Sequence, residues 1–379
     1  MAEHAEQLAA LRRALHRGAE RSNDERATAA QIADYLHAHD PQELLTGLAG
    51  HGVAARFAGR RDGPALLLRA ELDALPIPES IALAHASESE GTSHKCGHDG
   101  HMAMLASLAP WLREQPPERG SVILLFQPAE ETGEGAARLL AEPRFRALAP
   151  DQVFALHNLP GYRLGSVVCR DGVFAAGSRG LWVELEGATA HAAEPERGCS
   201  PALAVSQLIA SLSALPQTAA AMHAAVKSTV IHVQVGEIAF GTTPGRARVL
   251  ATLRGAEEDA LERIGQDAVR LAEGLGAAHG LAVETRWTEV FPVTRNEPGA
   301  VALLRTVARE CACDWHELEL PFPWSEDVGH LVAAYGGALF GLGAGREQPA
   351  LHHPTYDFPD ALLPIGRRVW QALVRRATS

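Results

Sequence analysis

Apolar residues along this chain keep two periods in alternating blocks. Over residues 3 to 18, Leu8, Leu11 and Leu15 fall on one helical stripe. A second helix, with Asn23 or Asp24 as its N-cap, would bury Ile32, Tyr35 and Leu36. Val53 to Phe57 and Ala65 to Ala70 read as strands, the latter so continuously apolar that both its faces should be covered. A polar loop from Glu71 to Gly100 leads to a helix over about His101 to Arg113. Then come the strand Val122-Ile123-Leu124-Leu125-Phe126, a helix after Gly133, and the strand Val153 to Leu156. This alternation predicts an α/β domain with a largely parallel sheet, in which functional residues collect in loops at the carboxyl ends of strands.

From about Ser178 the texture changes. Leu181 to Leu185 alternates like a half-exposed strand, and Pro201 to Leu215 is an amphipathic helix. Val230 to Val235 and Arg248 to Leu253 read as strands, Glu257 to Leu275 as a helix and Leu281 to Thr285 as a strand. Strand, helix, two strands, helix, strand is the order of an α+β ferredoxin-like unit. After Pro292 the α/β pattern returns, with helices at Ala300 to Cys311 and Glu326 to Ala334 and a strand at Ala338 to Leu342. The predicted organisation is an α/β domain formed by residues 1–177 and 290–379, interrupted by an inserted domain at 178–289. A length of 379 residues agrees, because single cores stop growing before that size.

Composition narrows the partners. With 34 basic against 46 acidic side chains the net charge is -12, and no basic run offers a nucleic-acid face. No stretch approaches the roughly 18 continuous apolar residues of a membrane span. The polar, acidic start Met1 to Leu8 lacks the basic-then-apolar order of a secretory signal, so the protein reads as cytoplasmic. Cys96, Cys169, Cys199, Cys311 and Cys313 are odd in number and scattered, which fits reduced thiols.

The densest chemistry is Ser93-His94-Lys95-Cys96-Gly97-His98-Asp99-Gly100-His101. Thiolate and imidazole suit zinc and related divalent metals, but no second Cys-x-x-Cys pair appears to close a structural zinc site. The stretch reads either as a metal site completed by distant residues or as a His-rich surface loop. Ligand-type residues also follow other strands. Asp73 comes after Ala70, Gln127-Pro128-Ala129-Glu130-Glu131 after Phe126, His157-Asn158 after Leu156, and His352-His353-Pro354 after the Leu339 strand. A parallel sheet would bring these to one edge.

Together with Arg69-Ala70-Glu71-Leu72-Asp73-Ala74-Leu75-Pro76 and His191 within Gly187 to Pro195, these motifs resemble the M20 metallopeptidase family. The match is to its amidohydrolase branch of aminoacylases, hippurate hydrolases, auxin-conjugate hydrolases and N-acetyldiaminopimelate deacetylases. That resemblance implies a catalytic domain with two divalent ions, Mn or Zn first and Co or Ni also compatible, and an inserted lid or dimerisation domain. It implies that Cys96 bridges the ions, with Glu131 and His352 completing one and His98 and His157 the other. Glu130 would be the general base, and His191 would polarise the scissile carbonyl, often from the partner subunit of a homodimer. Asp73 would sit behind a metal-bound imidazole, Arg254 could pair with a substrate carboxylate, and His94, His101 and His353 would be structural or support the ligands from behind, with His353 the alternative to His352 as ligand. The expected substrate is an N-acyl amino acid or a similar small conjugate, with a metal-dependent dipeptidase or carboxypeptidase activity as the family alternative. Two departures stand out. Glu71 replaces a usual Asp, and Gly241 stands where relatives carry a substrate-holding Asn, leaving Thr242 or Thr243 to substitute. Rival readings are a thiol hydrolase with Cys96 as nucleophile and a non-catalytic binder of acyl amino acids.

Overall fold

The computed structural model describes residues 2–221 and 225–379. The chain opens with helices Ala2–Arg17 (α1) and Arg26–His37 (α2), then strands Glu43–Leu48 (β1), Gly52–Ala58 (β2) and Ala65–Glu71 (β3). Helices His98–Ala106 (α3) and Leu108–Glu114 (α4) precede strand Ser121–Gln127 (β4). Helices Gly135–Ala141 (α5) and Pro143–Arg146 (α6) lead to strands Gln152–Pro160 (β5), Val167–Cys169 (β6) and Gly172–Ala175 (β7). The middle of the chain carries Gly177–Glu186 (β8), Ala202–Ala219 (α7), Val226–Val235 (β9), Arg246–Gly255 (β10), Glu258–Ala278 (α8) and Ala282–Phe291 (β11). The last part holds Thr294–Asn296 (β12), Pro298–Glu310 (α9), Trp315–Glu317 (β13), Gly329–Tyr335 (α10), Gly337–Gly345 (β14) and Leu363–Ala377 (α11).

Two units result. The first comprises Met1–Phe174, Thr294–Leu320 and Asp327–Ser379, and the second Ala175–Val293 with Pro321–Glu326. The expected borders of the insert fall just inside the second unit. The return of Pro321–Glu326 to it had no sequence signal.

The first unit is mixed α/β with a large, mostly parallel sheet in the order β1-β2-β4-β3-β5-β14-β6-β13. Its central four strands, β4, β3, β5 and β14, run parallel. Every residue of β3 and β4 is buried, so helices cover both faces. The helix expected over 101–113 divides at Ser107, because Pro110 has no N–H to continue the ladder. Strand β1, half exposed and antiparallel to β2, escaped the apolar pattern.

The second unit is a four-stranded antiparallel sheet, β11-β8-β10-β9, with the connectivity of a ferredoxin-like fold. Leu181, Val183, Leu185, Val249 and Leu253 pack on Leu208 and Leu212 of α7 and on Leu261 and Ile264 of α8. On the opposite face Trp182 lies between Arg248 and Arg286, at 4.4 and 3.9 Å from ring centre to guanidinium. No described helix is long and apolar enough to cross a membrane.

Candidate metal centre

Parallel register sets the site. Glu71 at the end of β3 pairs with Gln127 at the end of β4, and Gly341 of β14 pairs with His157 of β5. The carboxyl ends of four neighbouring strands therefore open onto one edge, where the loops carrying Asp73, Glu130, Glu131 and His352 begin. Cys96 and His98 reach the same edge because Gly97 turns the chain with φ of 88° before α3. A Cβ at Gly97 would run into the Asn158 side chain, so only glycine fits both the angle and the space.

Ligand atoms converge in two groups that share one sulfur. Cys96, His98 and His157 have donor atoms within 4.8 Å of one another, and so do Cys96, Glu131 and His352. His98, Glu130 and Glu131 form a further such group. Cys96 Sγ lies 3.4 Å from His157 Nε2, and Glu131 lies 3.8 Å from His98 Nε2 and 3.7 Å from His352 Nε2.

Hydrogen bonds fix which imidazole nitrogen faces the cluster. His98 Nδ1 donates to the Asp73 carbonyl at 2.8 Å, and His157 Nδ1 donates to the Asn158 carbonyl at 2.8 Å. Each Nε2 is left with its lone pair toward the donors. His101 also lies beside His98, but both its nitrogens are committed: Nδ1 to Glu71 at 2.7 Å, and Nε2 to the Asn158 N–H at 3.0 Å. It is a spacer, although donor distances alone group it with Glu71 and His98. His353 turns to the Thr355 hydroxyl at 2.7 Å. Burial pushes His94 down to about 3, so it stays neutral.

Asp73 departs in detail from the expected arrangement. Its backbone carbonyl, not its carboxylate, holds His98, while carboxylate Oδ2 accepts from the Glu131 N–H at 2.9 Å and the Ser22 hydroxyl at 2.7 Å. Glu71 is a buried anion. Burial opposes its charge, but Arg69 and His101 outweigh that and hold it well below the usual carboxylate range.

The donor set fits divalent cations. Glu131 Oε1 and Asp73 Oδ1 are buried with no hydrogen-bond partner among the described residues, and burial pushes Glu131 up to about 7. Enclosed carboxylate oxygens without donors are what a dication would compensate, and thiolate, imidazole and carboxylate together suit zinc-like and manganese-like ions.

Several supports carry no short motif and were missed in the sequence. Asp327 accepts from Arg69 at 2.8 Å, from the Gln127 amide at 2.7 Å and from the Ala136 N–H at 2.9 Å, and its own N–H lies 3.4 Å from Glu130 Oε1. Arg12 and His16 of α1 both grip Asp99, at 2.7 Å each, next to His98. Lys95 reaches Glu79 at 2.6 Å, next to Cys96.

His191, Thr242 and Arg254 belong to the second unit. His191 pairs with Thr242 across a β-bridge, and the Thr243 hydroxyl is taken up by Ala190. The Thr242 hydroxyl has no hydrogen bond among the described residues, whereas that of Thr243 is engaged. His191 Nδ1 accepts from the Ala193 N–H at 3.0 Å, so in the neutral ring the proton sits on Nε2. Arg254 Nη1 donates to the Pro323 carbonyl and the Ser325 hydroxyl at 3.2 and 3.1 Å.

A family model described as Peptidase family M20/M25/M40 matches residues 67–376. An N-acetyl-L-cysteine deacetylase of Bacillus subtilis (strain 168) is 33% identical over 364 residues, covering 94% of this chain and 85% of the relative. An N-acetyldiaminopimelate deacetylase of Exiguobacterium sibiricum is 27% identical, covering 94% of this chain and 95% of its own. A dinuclear metal-binding M20 peptidase of Bacillus subtilis superposes with a TM-score of 0.82 at 26% identity, over 100% of this chain and 99% of the other. With its strand-end donors, its two units and these likenesses, the chain belongs to the M20/M25/M40 peptidase family.

Proposed function

We propose that this chain is a divalent-metal amidohydrolase that cleaves the amide of an N-acyl amino acid into a carboxylic acid and the free amino acid. The observation that carries this reading is the sharing of Cys96 between the His98–His157 group and the Glu131–His352 group. Cys96 would bridge two ions, of which Mn or Zn best suit the donors. When bound, the ions polarise the scissile carbonyl and acidify the attacking water. Glu130, buried beside His98 and Glu131, takes a proton from that water and returns it to the leaving nitrogen. His191 donates a hydrogen bond from its Nε2–H to the carbonyl oxygen as charge develops there. Arg254 is half-buried, and its Nε and Nη2 have no acceptor among the described residues, which suits a substrate carboxylate. Relatives named as deacetylases of N-acetylcysteine and N-acetyldiaminopimelate support the substrate class.

A homodimer formed through the second unit belongs to this reading. Edge strand β9 exposes Ile231 and Val233, and the loop after it exposes Ile238 and Phe240 fully.

Amine release from N-acetyl, N-benzoyl and longer N-acyl amino acids, with Mn or Zn added, tests the activity. A chelator should abolish it reversibly. Survival after metal removal would instead favour Cys96 as a nucleophile. Glu130→Gln should keep two ions per chain and lose turnover by about three to four orders of magnitude, within the range of general-base contributions. Parental turnover in that variant would refute the base assignment.

A further inference from the structure

Glu130 is flanked by two backbone amides, and each is gripped by a buried carboxylate. The Glu131 N–H goes to Asp73 at 2.9 Å, and the Ala129 N–H goes to Glu25 Oε1 at 2.7 Å. Ala129 is left-handed, with φ of 52°, a conformation that crowds a residue with a Cβ. Something must hold it there. Its carbonyl accepts from Glu134 and Gly135 at 3.2 and 3.1 Å, which closes the turn from one side only.

Glu25 supplies the other side. It occupies the N-cap position of α2, yet its side chain makes no capping bond. Glu20 does that work instead, accepting from the Ala27 and Thr28 N–H groups at 3.1 and 2.7 Å. The Glu25 carboxylate is thereby free to turn inward, where it is wholly buried. Its Oε2 has no hydrogen-bond partner among the described residues, while Oε1 accepts from the Ala129 N–H, and the backbone amides of Glu25 itself, Ala129 and Asn23 together favour its charge. A buried acid with one unmatched oxygen costs stability, and such residues persist where a site needs them.

We propose that Glu25 is a positioning residue for the hydrolytic reaction: by gripping the Ala129 N–H it holds Ala129 left-handed and so aims Glu130 into the donor cluster. This rests on the general-base role given to Glu130 above. Glu25 itself touches neither donor group.

The experiment uses Mn-loaded protein and the fastest substrate of the amide panel, comparing Glu25→Ala, Glu25→Gln, and Glu25→Ala combined with Ala129→Gly. Glu25→Ala should lower kcat at least tenfold with KM and the two-ion content unchanged, and should speed hydrogen–deuterium exchange in residues 128–133. Glu25→Gln keeps an acceptor oxygen and should stay within threefold of the parent in kcat. Ala129→Gly, which relieves the left-handed strain, should recover part of the loss. Equal kcat in the Ala and Gln variants, a fall explained by lost metal, or an unfolded alanine variant beside a glutamine variant as slow as it, overturns the proposal. Failure of the base assignment itself is read separately, as turnover retained in Glu130→Gln while the exchange difference between the two Glu25 variants persists.

Discussion

At the scale of single residues, neighbours of the same type are separated by what holds their nitrogens. His352 and His353 are adjacent in sequence, but only His352 comes near Glu131 and Cys96. His352 takes a positive φ of 64°, its N–H donating to the Lys95 carbonyl at 2.9 Å, and this turn aims its ring. We expect His352→Ala to bind about one ion per chain by elemental analysis and to lose about two orders of magnitude or more in kcat. His353→Ala, which forfeits only a bond to Thr355, should stay within about threefold. Residue types and their places after apolar strands were legible in the sequence. Which member of a pair faces the cluster was not, because backbone φ and second hydrogen bonds decide it. The same holds for His101 and for Asp73, whose carbonyl does what its carboxylate was expected to do.

At the scale of elements, α1 is a brace for the ligand loop more than a stripe of leucines. Leu8 and Leu15 pack inward as the periodicity predicted, but the same face buries Arg12 and His16 completely. They reach Asp99, and through Glu79 and Lys95 they reach the far side of Cys96. Burial works against charge on His16, but the hydrogen bonds to Asp99 and Glu79 win, and its pKa is pushed up to about 9. A pKa raised above the unfolded value of about 6.5 stabilises the fold in full below that pH, and the contribution is lost as pH rises through 9. We expect an unfolding free energy that falls by roughly 3 kcal/mol between pH 6.5 and 9.5, and a His16→Asn variant that is weaker at pH 6.5 with this slope removed. Denaturation of the metal-free protein across that range measures it, and an unchanged slope in the variant would remove His16 from the account. The central strands and the order of the second unit were readable because burial on both faces, or on one, writes a distinct pattern. Short strands such as β6, β12 and β13 left none, having three residues each.

At the scale of the whole molecule, the separation of His191 from Arg254 bears on how many copies make one working site. Thr242, bridged to His191, comes just before β10 begins at Arg246, whereas Arg254 lies near its end. Eight residues of extended strand span roughly 26 Å, far beyond the length of a small acyl amino acid. If His191 and Arg254 both act on one substrate, they come from different chains, with the exposed edge of β9 and the Ile238–Phe240 loop as the surface that joins them. His191→Ala and Glu130→Gln should each be inactive as homodimers. Unfolded together and refolded as a mixture, half the dimers are hybrids, each with one site that has both Glu130 and a histidine from the neighbouring copy. Activity should then recover to about a quarter of the parental value. No recovery, in a mixture shown by mass spectrometry to contain hybrids, would mean that His191 serves its own chain and that Arg254 does not touch the same substrate.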